Sequence, residues 1–111
     1  MSGTSNVQDS SLTILSAGDM SGNLSSSVTD LQGTNSYSVQ AVYTGAPVGT
    51  LQLQISMDNI TFSEYTGSSV SISEAGNTMF KITRNGERYI KAIYTFSSGT
   101  GSLSAIIGLQ G

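Results

Sequence analysis

The sequence predicts an all-β protein: a single antiparallel β-sandwich of about eight strands, either jelly-roll-like or immunoglobulin-like. Three observations lead to this fold class. Apolar and polar residues alternate along several segments, and a period of two is typical of a strand that buries one face. Clusters of Gly, Ser, Asn and Asp separate these segments at short intervals, as in other β-sandwiches. No window places apolar residues at the spacing of an amphipathic helix.

Length and composition agree with a single β-rich domain. The 111 residues are enough for one hydrophobic core. Hydrophobic residues make up 37% of the chain and charged residues only 10%, so serine and threonine are left to cover the outer faces of the strands. The net charge of -3 is small, whereas disordered chains usually combine low hydrophobicity with high net charge.

The chain has no cysteine and no histidine, which removes most familiar catalytic and metal-binding arrangements. Disulfides, thiolate or imidazole metal sites, cysteine nucleophiles and Ser-His-Asp triads are all excluded. Asp58 with Asn59, or Asp19 with Asp30, would offer oxygen ligands to calcium. No loop has the carboxylate spacing of a calcium site, however, so turn formation is the favoured interpretation of these residues. We therefore expect neither an enzyme nor a cofactor.

Targeting and nucleic-acid signals are also missing from the sequence. No apolar run is long enough for a membrane helix, and the first ten residues lack the basic start and apolar core of a signal peptide. We expect synthesis in a cytoplasm and no insertion into a membrane. The acidic balance opposes the counterion release that drives binding to nucleic acids, so we expect no nucleic-acid partner.

The first third of the chain is weakly patterned. Its predicted elements are, in order, a mobile N-terminal arm at 1–10, a strand at 11–16, a turn at 17–22 and a strand at 23–31. The sandwich domain is therefore predicted to comprise residues 11–111. The second of these strands has Leu24 and Val28 as its possible apolar anchors.

The strongest pattern lies in the middle of the chain. Residues 36–44 and 50–57 both alternate between polar and apolar residues, and a Gly/Pro-rich segment at 45–49 separates them. Two such runs across a short loop predict a β-hairpin. The Asp58-Asn59 pair predicts the turn that follows it. The inward-facing residues of this hairpin are predicted to be Tyr37, Val39, Ala41, Tyr43, Leu51, Leu53, Ile55 and Met57.

The second half of the chain continues in the same way. Its strands are predicted at 69–73, 79–83, 88–96 and 102–110. Asn85-Gly86 is typical of a tight hairpin turn, and residues 97–101 are predicted as a loop. The inward-facing residues of the last two strands are predicted to be Ile90, Ala92, Tyr94, Phe96, Leu103, Ala105, Ile107 and Leu109.

The two halves echo one another. The Ala-Val-Tyr-Thr run at 41–44 is matched by Ala-Ile-Tyr-Thr at 92–95, and a Gly/Ser-rich segment follows each run. This similarity favours two like hairpins in two packed sheets. The alternative is chance, because any two alternating strands look partly alike.

Six residues are candidate partner contacts. All of the basic residues, Lys81, Arg84, Arg88 and Lys91, fall in one short segment, and most acids precede it. A solubilising sheet edge is the favoured interpretation of this segment, and electrostatic complementarity between neighbouring copies is the alternative. Tyr65 and Tyr89 complete the six candidates. Core packing explains most of the aromatic residues, but it explains these two tyrosines less well.

Two stretches of the chain resemble a family of small virion proteins encoded by bacterial viruses. The family pattern contains Thr-Gly-x-Pro-x-Gly after a Gln and an aromatic residue, and then a Ser-x-Asp-Gly-x-x-Trp turn. Asn59 replaces the glycine of that turn and Phe62 replaces its tryptophan. The residues that match the pattern are Gln40, Tyr43, Thr44, Gly45, Pro47, Gly49, Ser56, Asp58, Arg88, Tyr89, Tyr94, Thr95, Ser98, Gly99, Thr100 and Gly101.

The resemblance implies a structural role without catalysis. Such proteins are capsid-associated components, namely decoration proteins, vertex or penton proteins, or the bases of head fibres and spikes. It implies contacts with the major capsid protein or other virion proteins, a homo-oligomer of three or five copies, and a location in the virion. The alternative is a carbohydrate-binding or host-attachment module of the same fold, which would present Tyr65, Tyr89 or Phe62 together in a groove to a glycan.

Overall fold

The structure is a computed structural model that describes residues 10–31, 34–83 and 86–110. The described residues form strands and no helix, so the predicted all-β class is confirmed. Every strand pairing is antiparallel. The strands are β1 (Ser10–Asp19), β2 (Leu24–Ser25), β3 (Thr29–Asp30), β4 (Ser36–Ser56), β5 (Ser63–Glu64), β6 (Val70–Ile72), β7 (Gly76–Thr83) and β8 (Tyr89–Gln110).

The two long strands β4 and β8 organise the fold. They pair along their whole length, from Ser36 opposite Gln110 to Ser56 opposite Tyr89. The predicted loops at 45–49 and 97–101 are therefore wrong, because these segments lie inside β4 and β8 and face each other. Glycine and proline mark turns, but they also mark bends and bulges within paired strands.

Glycine is required where the paired strands bend. Gly45 and Gly99 have positive φ values of 86° and 83°, a conformation that other residues rarely adopt. A Cβ atom on Gly99 would overlap the carbonyl oxygen of Ala46 on the opposite strand. A register shift follows between Val48 and Gly49. The two backbones thus approach each other more closely than side chains would allow, and the ribbon turns from one layer of the sandwich to the other.

Each half of this ribbon belongs to a different layer. The first layer has the order β1, residues 102–110, residues 36–44 and β7. The second has the order β2 with β3, residues 89–96, residues 49–56 and β5 with β6. Along the chain, the two layers together comprise eight strand segments. The first segment pairs with the eighth, the second with the seventh, the third with the sixth and the fourth with the fifth. This winding is that of a jelly roll and decides between the two predicted topologies.

The two layers enclose a core to which both contribute side chains, as in a packed β-sandwich. The predicted inward faces of the long strands are largely confirmed. Ile55 and Leu109 are only half-buried at the margin of the core. The buried members of the predicted set are Tyr37, Val39, Ala41, Tyr43, Leu51, Leu53, Ile90, Ala92, Tyr94, Leu103, Ala105 and Ile107.

The predicted faces are wrong where strands end. Met57 is 71% exposed because β4 ends one residue earlier and the chain turns away from the core. Phe96 is exposed close to the bend of β8. Met20, predicted only as part of a turn, is fully buried, and its N–H donates to the carbonyl oxygen of Gly101 at 2.9 Å.

The weak strand at 23–31 is reduced to the short strands β2 and β3. Val28, predicted as an anchor, is exposed, and Leu24 is half-buried. Ser26 bridges the gap between the short strands, because its Oγ accepts from the N–H of Ala92 at 2.8 Å and its own N–H donates to the carbonyl oxygen of Ala92 at 2.9 Å. Backbone-like hydrogen bonds thus replace the missing apolar alternation.

Parts of the predicted arm and of the predicted hairpin turn lie outside the described residues. These are positions 1–9 of the predicted arm and Asn85 of the predicted hairpin turn. Ser10, predicted to be part of the arm, begins β1. Gly86 has a φ of 102°, as expected of the glycine in such a turn.

Candidate interaction surfaces

The outer face of the second layer carries two of the six candidate contact residues. Tyr89 and Lys91 alternate along β8 with the buried Ile90 and Ala92, so they project away from the core. Lys91 lies directly opposite Gln54 on β4. Gln54 in turn lies opposite Glu64 on β5, which gives this face a row of basic, amide and acidic side chains.

Lys91 and the neighbouring Arg88 are already engaged in contacts within the chain. The ammonium group of Lys91 lies 4.3 Å from the centre of the Phe62 ring, and the guanidinium of Arg88 lies 5.3 Å from the centre of the Tyr89 ring. Arg88 also donates through Nε and Nη2 to the two carboxylate oxygens of Asp30 at 3.3 and 3.2 Å. These hydrogen bonds and the charge of Asp30 raise the pKa of Arg88 above its ordinary value.

Two further candidates, Tyr65 and Lys81, meet at one edge of the sandwich. A groove of about 250 Å³ has Tyr65, Gly67 and Ser68 on one side and residues 79–82 of β7, including Lys81, on the other. The Tyr65 side chain is half-buried and packs against the core, while Lys81 is exposed. The last candidate, Arg84, lies outside the described residues. The sequence therefore pointed to two separate surfaces rather than to one site.

Residues 56–61 form a turn that the sequence predicted only in part. The Asp58 carboxylate accepts hydrogen bonds from the N–H groups of Ile60 and Thr61 at 2.9 and 3.0 Å and from the Ser56 hydroxyl at 2.9 Å. These hydrogen bonds lower the pKa of Asp58, the N–H of Thr61 making the largest contribution. Asn59 completes the turn with a positive φ of 63°.

This turn presents exposed apolar side chains that sequence analysis missed. Ile60 is 82% exposed, and Met57 is nearly as open. The alternation along residues 50–57 had assigned Met57 to the core, and no pattern singled out Ile60. Large apolar side chains held on a hydrogen-bonded turn are typical of contact surfaces, because little conformational entropy is lost when a partner covers them.

A buried carboxylate was also missed. Glu87 is only 5% exposed, and its Oε2 accepts a hydrogen bond from the Tyr37 hydroxyl at 2.7 Å. Within the described ranges, no group of three or more Asp or Glu side chains is placed to hold a metal ion. The described part of the chain likewise has no helix long and apolar enough to cross a membrane.

Comparison with known proteins shows the fold but no sequence family. The sequence matches no protein-family model and no curated protein. The structure of YomS, a protein derived from the SPBc2 prophage, is similar with a TM-score of 0.64 and 10% identity over 96% of this chain and 97% of YomS. The PBSX exported protein XepA is similar with a TM-score of 0.65 and 12% identity over 91% of this chain, which spans only 37% of XepA.

Two less similar structures share the fold. A structure of infectious bursal disease virus gives a TM-score of 0.53 with 6% identity over 98% of this chain and 33% of that chain. A CBM4 structure gives 0.51 with 12% identity over 96% of this chain and 76% of that chain. At such identities these likenesses show the fold alone. At the level of the fold, the similarity to the prophage-derived YomS confirms the predicted resemblance to proteins of bacterial viruses.

Proposed function

We propose that the chain is a non-enzymatic structural protein of a bacterial virus, made in the host cytoplasm and built into the virion. It acts through contacts with the major capsid protein or other virion proteins, as a decoration, vertex or fibre-base component. The observation that carries this proposal is the shared jelly roll with the prophage-derived YomS, which extends over nearly the whole length of both chains.

The surface supports a role in protein contacts. Met57 and Ile60 project from a turn that Asp58 fixes, and the other exposed large apolar side chains, apart from Val28, lie on strands. Apolar side chains on a rigid support are what a protein partner covers. In this proposal the protein is a homo-oligomer of three or five copies, which would match the rotational symmetry of a capsid position.

A carbohydrate-binding module is the second candidate, favoured by the fold of the CBM4 structure and by Phe62 and Tyr89 on one face. The cations weigh against it, because Lys91 and Arg88 each cover one of these rings, whereas sugars stack on open aromatic faces. Tyr65 lies at a different edge, so the three aromatic residues do not form a common groove.

The test is association with particles. Virions of the virus that encodes the chain are purified on a density gradient, and the chain is quantified in the particle band with an antibody. We expect a fixed number of copies per particle. When the Ile60→Asp variant replaces the wild-type chain, its incorporation into particles should be at least tenfold lower, because a charge would be buried at the contact.

Val28→Asp is the matched control, because Val28 is also an exposed apolar residue but belongs to the connection between β2 and β3 and not to the turn. It should leave incorporation unchanged. Absence of the chain from purified virions, combined with saturable binding of wild-type protein to a glycan array, would overturn the proposal in favour of the carbohydrate-binding module.

A further inference from the structure

The sandwich has one long strand edge without the usual protection against pairing. Among the described residues, β7 is paired on one side only, in an unbroken register with β4 over all of its residues. The edges of the second layer are strands of two or three residues each. Short strands, bulges and charges protect edges from pairing with another chain, and only Lys81 does so on β7.

The opposite edge of the first layer carries a misplaced apolar side chain. Leu12 on β1 lies directly opposite Ile107 and so points toward the inner side of the layer. Ile107 is fully buried, yet Leu12 is 49% exposed. After Thr13 the register of β1 shifts twice, so that only its first residues form a regular edge. An inward-facing leucine is thus left half uncovered at the one part of β1 that can accept another strand.

The β7 edge offers the complementary shape. The groove between Tyr65 and residues 79–82 runs along it, and Phe80 points into the sandwich there because it lies opposite the buried Val39. Charge also matches: β7 carries the exposed Lys81, whereas in the sequence Asp9 immediately precedes the start of β1. The chain that leads into one edge therefore carries the opposite charge to the other edge.

From these features we infer that copies of this chain join side by side, with β7 of one copy paired to the start of β1 of the next. Within a layer β1 and β7 run in opposite directions. A rotation about an axis parallel to the strands therefore brings them together as antiparallel neighbours and repeats until a ring closes. The inference rests on the proposed assembly into a homo-oligomer and adds its geometry.

The side-chain faces restrict the register of this pairing, because Leu12 must lie opposite an inward-facing residue of β7. In the proposed register this residue is Phe80, which places Leu12 in the groove beside Tyr65. Thr13 of one copy then lies opposite Met79 of the next, on the outer face. Each copy uses one β1 edge and one β7 edge, so a closed ring leaves neither edge free for uncontrolled pairing.

The absence of cysteine allows a direct test by disulfide trapping. The double variant Thr13→Cys with Met79→Cys is purified and oxidised. Within one chain these positions lie on opposite edges of a four-stranded layer, about 14 Å apart at the usual spacing of strands, which is too far for a disulfide. We expect covalent oligomers in a ladder that ends at three or five copies. Each single variant should remain uncrosslinked.

The light-scattering mass of the wild-type protein separates this inference from the proposed function. A wild-type oligomer whose double variant forms no disulfide would overturn the strand pairing and leave the assembly intact. Efficient crosslinking of Met79→Cys alone would also overturn it, since that result means β7 pairs with itself. A wild-type monomer without disulfides in the double variant would overturn the pairing as well, and particle association would then decide the proposed function on its own.

A charge at Leu12 provides a second measurement that does not depend on oxidation. Leu12→Asp should lower the oligomer mass to that of a monomer at concentrations where the wild type stays assembled, because the carboxylate would lose its hydration beside the rings of Tyr65 and Phe80. Val28→Asp is the matched control and should keep the wild-type mass. An unchanged oligomer in Leu12→Asp would contradict the inference.

Discussion

At the scale of single residues, Tyr94 shows what the sequence pattern conveys and what it does not. Tyr94 shares one face of its strand with Ile90 and Ala92, which predicted a core position, and the side chain is fully buried. The pattern did not reveal that the Tyr94 hydroxyl, alone among buried side-chain polar atoms in the described ranges, has no hydrogen-bond partner. Gly49 lies against it, for a Cβ atom there would come within 2.6 Å of the hydroxyl oxygen. Such contacts depend on pairing between distant strands.

Substitutions at Tyr94 should separate ring packing from the hydroxyl. Tyr94→Ala should lower the free energy of unfolding by about 3 kcal/mol or more, as for other large aromatic residues in cores. Tyr94→Phe should keep or raise it by up to about 1 kcal/mol, because an unsatisfied buried polar group is removed. Urea denaturation of the two variants measures both effects. A loss of more than about 1 kcal/mol in Tyr94→Phe would mean that the hydroxyl has a stabilising partner.

The same residue gives a pH dependence of known sign. Burial raises the pKa of Tyr94 above the ordinary tyrosine value, because the charged phenolate is disfavoured inside the protein. The neutral form therefore stabilises the folded state fully below the unfolded pKa of about 10, and this contribution is lost as pH rises above it. Tyr94→Phe should flatten the alkaline fall in stability, and a fall identical to that of the wild type would contradict this assignment.

At the scale of elements, the sequence predicted the faces of the long strands but misplaced their ends. Period-two alternation is a local property, so the inward sides of residues 36–44 and 102–110 were predictable. The Gly/Pro-rich segments were taken as loops, because the same residues form turns and bends. Only the pairing of β4 with β8 shows that the segments face one another, and this contact between residues far apart in sequence leaves no local signal.

The bend itself is open to mutation. Gly99→Ala should lower the free energy of unfolding by roughly 2–5 kcal/mol, because it forces a positive φ on alanine and a Cβ atom against the Ala46 carbonyl. Gly22→Ala is the matched control, since a Cβ atom on Gly22 meets no atom within 4 Å. Thermal unfolding of both variants is the measurement. Equal melting temperatures for the two variants would mean that the backbones of β4 and β8 are not in close contact at Gly99.

At the scale of the whole molecule, the sandwich was predictable but its winding was not. Jelly rolls and immunoglobulin domains are both built from short alternating strands, and their difference lies only in which strands are neighbours. The candidate contacts show the same limit. Lys81 and Tyr65 were singled out separately for charge and for aromatic character, and only the folded chain places both on one groove beside an open strand edge.

The part of the chain before β1 supplies the remaining prediction at this scale. Deleting residues 1–9 should leave the jelly roll folded, because both layers and the buried core described in the structure are built from residues that follow position 9. Circular dichroism and the melting temperature should match those of the full chain. Incorporation into particles should nevertheless be lost, since a polar segment of this kind can dock on a neighbouring capsid subunit and order there. Normal incorporation of the folded, shortened chain would show that the jelly roll alone carries the contact with the capsid.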